Sequence, residues 1–130
     1  MPKFGFRSRS NLETCSHRLQ RVFERVIVDF DCSVLCGTRN EEDQNAAFDA
    51  GRSTKRFPNS KHNSSPSSAV DVAPWPIDWS DIPRFRYFAG FVMGIASSMG
   101  VELRWGGDWD RDTDLRDQNF NDLVHFELAE

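Results

Sequence analysis

The stretch "SKHNSSPSSAVDVAPW", residues 60–75, places a histidine in a polar loop and then an aspartate inside a short apolar run. Side chains along a strand alternate between its two faces, so in "AVDVA" Val70 and Val72 point one way and Asp71 the other. The same period appears near the end of the chain in "LVHFELA" (123–129), where Val124, Phe126 and Leu128 take a core face and His125 and Glu127 the opposite one. Two strands with one apolar and one polar face call for a small sheet whose apolar side is covered by helices.

Those helices are visible to either side. From Leu12 the apolar positions run Cys15, Leu19, Val22, Phe23, Val26, Ile27 and Phe30, which is helical spacing, and Ser10 with Glu13 matches a capping box ahead of it; the pattern predicts one helix from residue 12 to 30. "SVLCGT" (33–38) reads as a strand, and "RNEEDQNAAFDAG" (39–51) as a shorter helix capped by Thr38 or Asn40 and ended by Gly51. Residues 52–68, rich in Ser, Asn, Pro and Lys/Arg, have loop composition, and a loop of that length in a small domain is usually functional or disordered. Phe85, Phe88, Phe91, Val92, Ile95 and Met99 form a second helical stripe that stops at Gly100, and "VELRW" (101–105) reads as a strand. The expected fold is α+β, a small antiparallel sheet with helices packed on one side, in one domain spanning residues 1–130.

Charge narrows the function classes. The net charge is −4, which argues against a protein whose affinity rests on neutralising nucleic-acid phosphates. The balance is uneven: residues 1–28 hold six Lys/Arg against two acids, so a basic face built from Lys3, Arg7, Arg9, Arg18, Arg21 and Arg25 leaves an anionic polymer as a minor alternative. No apolar run is long enough for a signal peptide or a membrane span, so the chain is expected to fold in a cytosol with no membrane partner, as a monomer. Cys15, Cys32 and Cys36 each sit in or beside an apolar segment and read most simply as buried free thiols; Cys32 and Cys36 would need two further ligands to hold a metal.

His62, Asp71 and His125 make a set of two imidazoles and a carboxylate. Catalytic zinc takes three protein ligands of these types and keeps a position for water. Asp122, three residues ahead of His125, is near enough to serve such a water as general base. Trp105, Gly106, Gly107 and Trp109 either line a groove or make ordinary turn packing. Asp108, Asp110, Asp112 and Asp114 alternate as in a calcium loop, but no Gly stands at the sixth position and Asn119 replaces the expected Glu, so an EF-hand-like site is not expected and a looser calcium site is the alternative.

Ser60, His62, Ala69, Asp71, Asp122 and His125, in that order, resemble the signature of the D-alanyl-D-alanine carboxypeptidase and L-alanyl-D-glutamate endopeptidase family of zinc peptidases, which shares its fold with the hedgehog signalling domain. "GTRNEEDQNAAFDAG" and "LRWGGDWD" extend the likeness over roughly residues 35–130, and the chain looks like the compact phage endolysins of the family. The eight residues between His62 and Asp71 make a longer spacer than in many relatives, and the first 30 residues carry no matching motif.

The resemblance implies that His62, Asp71 and His125 hold zinc, that Asp122 is the catalytic base, and that Arg39 stands near the substrate to stabilise an oxyanion, its alternative being a surface arginine at a helix start. Glu127 either orients a ligand or is a solvated strand residue. The implied activity is hydrolysis of peptidoglycan peptide stems, at the L-alanyl-D-glutamate bond, from an enzyme held in the host cytoplasm until lysis exposes the wall. D-alanyl-D-alanine carboxypeptidase activity, or a non-catalytic zinc- or muropeptide-binding role, are the alternatives.

Overall fold

A computed structural model describes residues 2–117 and 121–129. Its helices are α1 (Phe6–Glu13), α2 (His17–Asp29), α3 (Glu41–Asp49) and α4 (Ile82–Ser98), and its strands β1 (Cys32–Cys36), β2 (Ala69–Pro74), β3 (Leu103–Trp105) and β4 (His125–Leu128). The strands form one antiparallel sheet in the order β1-β2-β4-β3. This is the expected α+β architecture, with the strand ends shifted by one or two residues from the expected bounds.

The apolar alternation builds the core. Val70, Val72, Phe126 and Leu128 project from β2 and β4 against Phe23 and Val26 of α2 and Phe88 and Val92 of α4, all of them buried. Phe126 lies at the centre, its ring edge-on to Phe23 at 5.5 Å and to Phe88 at 6.2 Å. Each large side chain buried in this way contributes about 1.5–3 kcal/mol. Asp81 begins α4 by accepting a hydrogen bond from the Arg84 amide, and Asn40 begins α3 by accepting one from Asp43.

The expected continuous helix from residue 12 to 30 is instead two helices. The chain leaves helical geometry at Thr14–Ser16 because the backbone there pairs with the distant loop: Ser67 N–H donates to the Thr14 carbonyl at 2.9 Å, and Ser16 N–H donates to the Ser67 carbonyl at 2.8 Å. Ser16 then caps α2 by accepting from the Leu19 amide. Ser10 and Glu13, expected as a capping box, lie inside α1. The break escapes the periodicity because Leu12, Cys15 and Leu19 remain buried on both sides of it.

α1 also covers the β1 edge of the sheet. Val34 N–H donates to Ser8 Oγ at 3.0 Å, and Asn11 Nδ2 donates to the Val34 carbonyl at 2.9 Å, so side chains of a helix satisfy the outer backbone groups of β1. The second face of the sheet, which carries Asp71, His125 and Glu127, is buried as well. The segment between β1 and β2 reaches over it with Arg39, Lys61 and His62.

Candidate active site

Strand register brings the first two groups together. Asp71 on β2 and His125 on β4 are directly paired across the sheet, so both side chains rise from the same face. His62 arrives from a short 3-10 turn, Lys61–Asn63, whose entry is fixed by a reciprocal cap: Ser60 Oγ accepts from the His62 amide and Asn63 Oδ1 accepts from the Ser60 amide. The Arg39 amide donates to the His62 carbonyl at 2.7 Å, which fastens the turn to the end of β1.

Three polar atoms converge. His62 Nε2 lies 3.1 Å from Asp71 Oδ1 and 3.3 Å from His125 Nδ1, and His125 Nδ1 lies 3.4 Å from Asp71 Oδ1. The remaining nitrogen of each histidine already has an acceptor. His62 Nδ1 is 2.7 Å from the Gly37 carbonyl, and His125 Nε2 is 2.8 Å from Glu127 Oε1. A carbonyl and a carboxylate can only accept, so each ring carries a hydrogen on its outer nitrogen, and once the ring is neutral it turns a lone pair inward. His62, Asp71 and His125 therefore form a group able to hold a metal ion.

Gly37 is required by this arrangement. A Cβ at that position would collide with Thr14 Oγ1 and the Asn11 carbonyl, so the backbone that orients His62 packs directly on the end of α1.

The charges respond to one another. Burial works against ionisation of Asp71, yet the two histidines bonded to it hold its carboxyl well below the usual range. Burial likewise disfavours a charged His62, but the bond to Asp71, a bond to Cys36 and the Asp71 charge together outweigh it and push the imidazole up to about 10. Asp122 behaves in the opposite way: burial, aided by the nearby Asp71 charge, raises its carboxyl to about 6. Its Oδ2 stands 4.0 Å from His125 Nδ1. The Asp122 amide donates to the Gly106 carbonyl at 2.8 Å, and a Cβ on Gly106 would strike the Asp122 carbonyl oxygen, so the turn that follows β3 sets the position of this residue.

The two residues whose roles were open both enter the site. Arg39 NH2 donates to Asp71 Oδ2 at 3.2 Å, leaving Oδ1 turned toward the histidines. Glu127 is not a solvated strand residue. Besides holding His125 it accepts from Arg104 at 3.1 Å, with Lys61 Nζ 3.5 Å away. Burial opposes its ionisation, but the bond to His125 and the flanking cations hold its carboxyl down at about 2.

Gln44, which the sequence did not single out, is wholly buried in α3. Its Oε1 accepts from Arg39 NH1 at 3.0 Å and from Asn63 Nδ2 at 3.3 Å, while its Nε2 donates to Ser53 Oγ at 3.0 Å and to the Lys55 carbonyl at 2.6 Å. One amide with all its hydrogen-bonding capacity used thus ties together the arginine on Asp71, the turn that carries His62 and the loop at residues 53–55. Only its i, i+3 spacing with buried Ala47 marks it in sequence.

The group opens into a cavity of about 560 Å³ lined by His62, Asp122 and His125, with Arg39, Arg52 and Lys55 among its cations. Trp109 also lines it, with its ring 5.4 Å from that of His125. Trp105 instead is buried and donates to the Leu123 carbonyl, so of the two tryptophans one faces the cavity and the other packs the turn. Asp108, Asp110 and Asp112 bring carboxylate oxygens within 4.8 Å of one another on the neighbouring loop; Asn119 lies outside the described residues. Cys15 and Cys32 are buried, with thiols pushed up to about 12 by burial, and neither they nor Cys36 join a metal-capable group among the described residues. No described helix is long and apolar enough to cross a membrane.

Comparison with known proteins places these features in context. Residues 1–129 match the model of the family described as phage L-alanyl-D-glutamate peptidase, so the likeness includes the amino-terminal helices in which no motif was recognised. The chain is 30% identical over 122 residues to the L-alanyl-D-glutamate peptidase of Escherichia phage T5, covering 89% of this chain and 88% of that protein. The fold superposes on the crystal structure of the Serratia marcescens L-Ala D-Glu endopeptidase ChiX with a TM-score of 0.76 and 26% identity, over 98% of this chain and 90% of that one.

Proposed function

Because the chain belongs to the phage L-alanyl-D-glutamate peptidase family, we propose that it is a zinc-dependent endolysin that hydrolyses the amide between L-alanine and D-glutamate in peptidoglycan stem peptides. The observation that carries this reading is the triangle of His62 Nε2, Asp71 Oδ1 and His125 Nδ1, with Asp122 beside it at the floor of a cavity. In this reading residues 1–130 form a single peptidase domain that acts as a monomer, waits in the host cytoplasm and reaches the wall at lysis.

The donors fit zinc. Zinc bonds to nitrogen and carboxylate oxygen are about 2.0–2.1 Å long, so a tetrahedral site has ligand-to-ligand edges of roughly 3.3 Å. The three observed separations, 3.1, 3.3 and 3.4 Å, match such a face, and each histidine has the outer acceptor that metal-bound imidazoles use. When bound, zinc supplies an acidified water and a Lewis acid for the scissile carbonyl.

The residues of the chain do the rest. Asp122 takes the proton of the attacking water on its carboxylate and returns it to the leaving nitrogen, a task suited to a carboxyl raised to about 6. Arg39 acts through Asp71, holding Oδ2 so that Oδ1 faces the ligand position; the geometry favours this over direct contact with an oxyanion. Glu127 fixes the tautomer of His125.

Asp122→Asn tests the assignment, since the amide keeps the shape of the carboxylate and cannot accept the proton. The variant should retain stoichiometric zinc by elemental analysis while turnover falls by about 100- to 10,000-fold. A zinc-loaded variant nearly as lytic as wild type would overturn the role of Asp122. Mass spectrometry of digested muropeptides reads the bond: stems shortened only by a terminal D-alanine would replace the endopeptidase reading with a carboxypeptidase one.

A further inference from the structure

Five cationic side chains line the cavity: Arg39, Arg52, Lys55, Lys61 and Arg104. Three are engaged by the site itself. Arg39 is bonded to Asp71 and Gln44, Arg104 to Glu127 and the Trp109 carbonyl, and Lys61 to the Leu128 carbonyl beside Glu127. Arg52 and Lys55 are different: both are exposed, and neither has a side-chain hydrogen bond or ion pair to any described residue.

The backbone that carries them is nonetheless fixed. The amides of Arg52 and Ser53 donate to the Ala47 carbonyl at the end of α3. Gln44 Nε2 grips Ser53 Oγ and the Lys55 carbonyl, and Ser53 Oγ accepts from the Lys55 amide. A buried glutamine thus holds two positive charges, with no side-chain partner among the described residues, at the rim of a cavity also lined by Asp110, Asp122 and Glu127. Beside such carboxylates, cations with no side-chain partner among the described residues point to an anion supplied from outside.

The substrate of the proposed reaction supplies one. A D-glutamyl residue has two carboxyl groups and the stem continues through only one of them. The other stays ionised within a few bonds of the scissile nitrogen, on the leaving-group side. We infer that Arg52 and Lys55 form a subsite for this spare carboxylate and make the enzyme selective for stems in which it is free over stems in which it is amidated. The inference rests on the peptidase reading and adds to it the residues that choose the substrate.

Two synthetic stem peptides test it, identical except that the spare glutamyl carboxylate of one is a carboxamide, each cleaved by zinc-loaded wild type, Arg52→Gln, Lys55→Gln, the double variant and Arg52→Lys. Charge-assisted contacts of this kind support a wild-type preference for the carboxylate peptide of roughly 10- to 100-fold in kcat/KM. The ratio between the two peptides should fall toward one in the double variant, mainly through KM, and Arg52→Lys should recover part of it. Because both side chains are exposed, zinc content and melting temperature should match wild type, which separates lost recognition from damage to the fold. A wild type that cuts both peptides equally, or a double variant that keeps the wild-type ratio, overturns the subsite. A zinc-loaded wild type that cuts neither peptide at the Ala–Glu bond instead overturns the peptidase reading, and the subsite with it.

Discussion

Replacing Glu127 by glutamine exchanges a carboxylate for a neutral amide at the point where β4, His125 and two cations meet. In the native protein one carboxylate oxygen is 2.8 Å from His125 Nε2 and the other accepts from Arg104 at 3.1 Å with Lys61 at 3.5 Å. A carboxyl held at about 2 against an ordinary 4.5 corresponds to roughly 3 kcal/mol, an upper figure because part of that field is screened by solvent. The folded-state pKa lies below the unfolded one, so this stabilisation is complete above about pH 4.5 and is lost as the pH falls through about 2. Glutamine still offers His125 an acceptor but presents a neutral amide to Arg104 and Lys61 in place of a charge. Denaturant melts of the metal-free proteins should therefore show Glu127→Gln less stable by about 1–3 kcal/mol at pH 7, with the gap narrowing below pH 4. Zinc affinity, read by competition with a chromophoric chelator, should fall about 10- to 100-fold, because the outer carboxylate sets both the tautomer and the basicity of the ligating ring. Wild-type zinc affinity together with wild-type stability in the variant would refute the claim that Glu127 orients the site.

Gly106→Ala should slow turnover about 100-fold with zinc retained, since the added methyl must displace the Asp122 backbone; equal rates would show that the turn after β3 does not set the base. The acid limb of kcat/KM should fall as the pH drops through the pKa of Asp122, at or below about 6 because a bound cation favours the carboxylate, and Asp122→Asn should flatten that limb; a limb that survives in the variant belongs to another group. Zinc must displace the proton that Asp71 favours on His62, whose imidazole is raised to about 10, so affinity should rise with pH through neutrality, and calorimetry in two buffers at pH 7 should detect proton release; none would contradict a protonated metal-free His62.

How much of this was legible in sequence depended on the range of the interaction responsible. Period-two alternation exposed Asp71, His125 and Glu127 on one face, because the placement of a strand side chain follows from its neighbours alone. The Ser60–His62 spacing entered through the family resemblance alone, and its cause is local: Ser60 caps the turn that presents the histidine. The break at Thr14–Ser16 was hidden, since its cause is a pairing with Ser67, more than fifty residues away, and the buried stripe runs through it unchanged. Gln44 was missed because a polar residue in an acidic helix looks solvated; only the folded chain brings Arg39, Asn63 and the 53–55 loop around it. The resemblance places Arg39 near the substrate, but its bond to Asp71 depends on how the segment after β1 folds back over the sheet.

The packing of Gly37 on Thr14 and Asn11 decides where this protein can be cut and rejoined. Thr14 reaches Gly37 and Thr38 with its side chain and Ser67 with its carbonyl, so the turn after α1 braces both ends of the segment that delivers His62. A chimera joined between α1 and β1 would combine a histidine from one parent with the brace of another, even though every residue of the metal-binding trio came from a single source. The transplantable module therefore begins ahead of α1, and recombination that respects only the motif-bearing segment should yield hybrids that carry the right ligands on a misaligned ring.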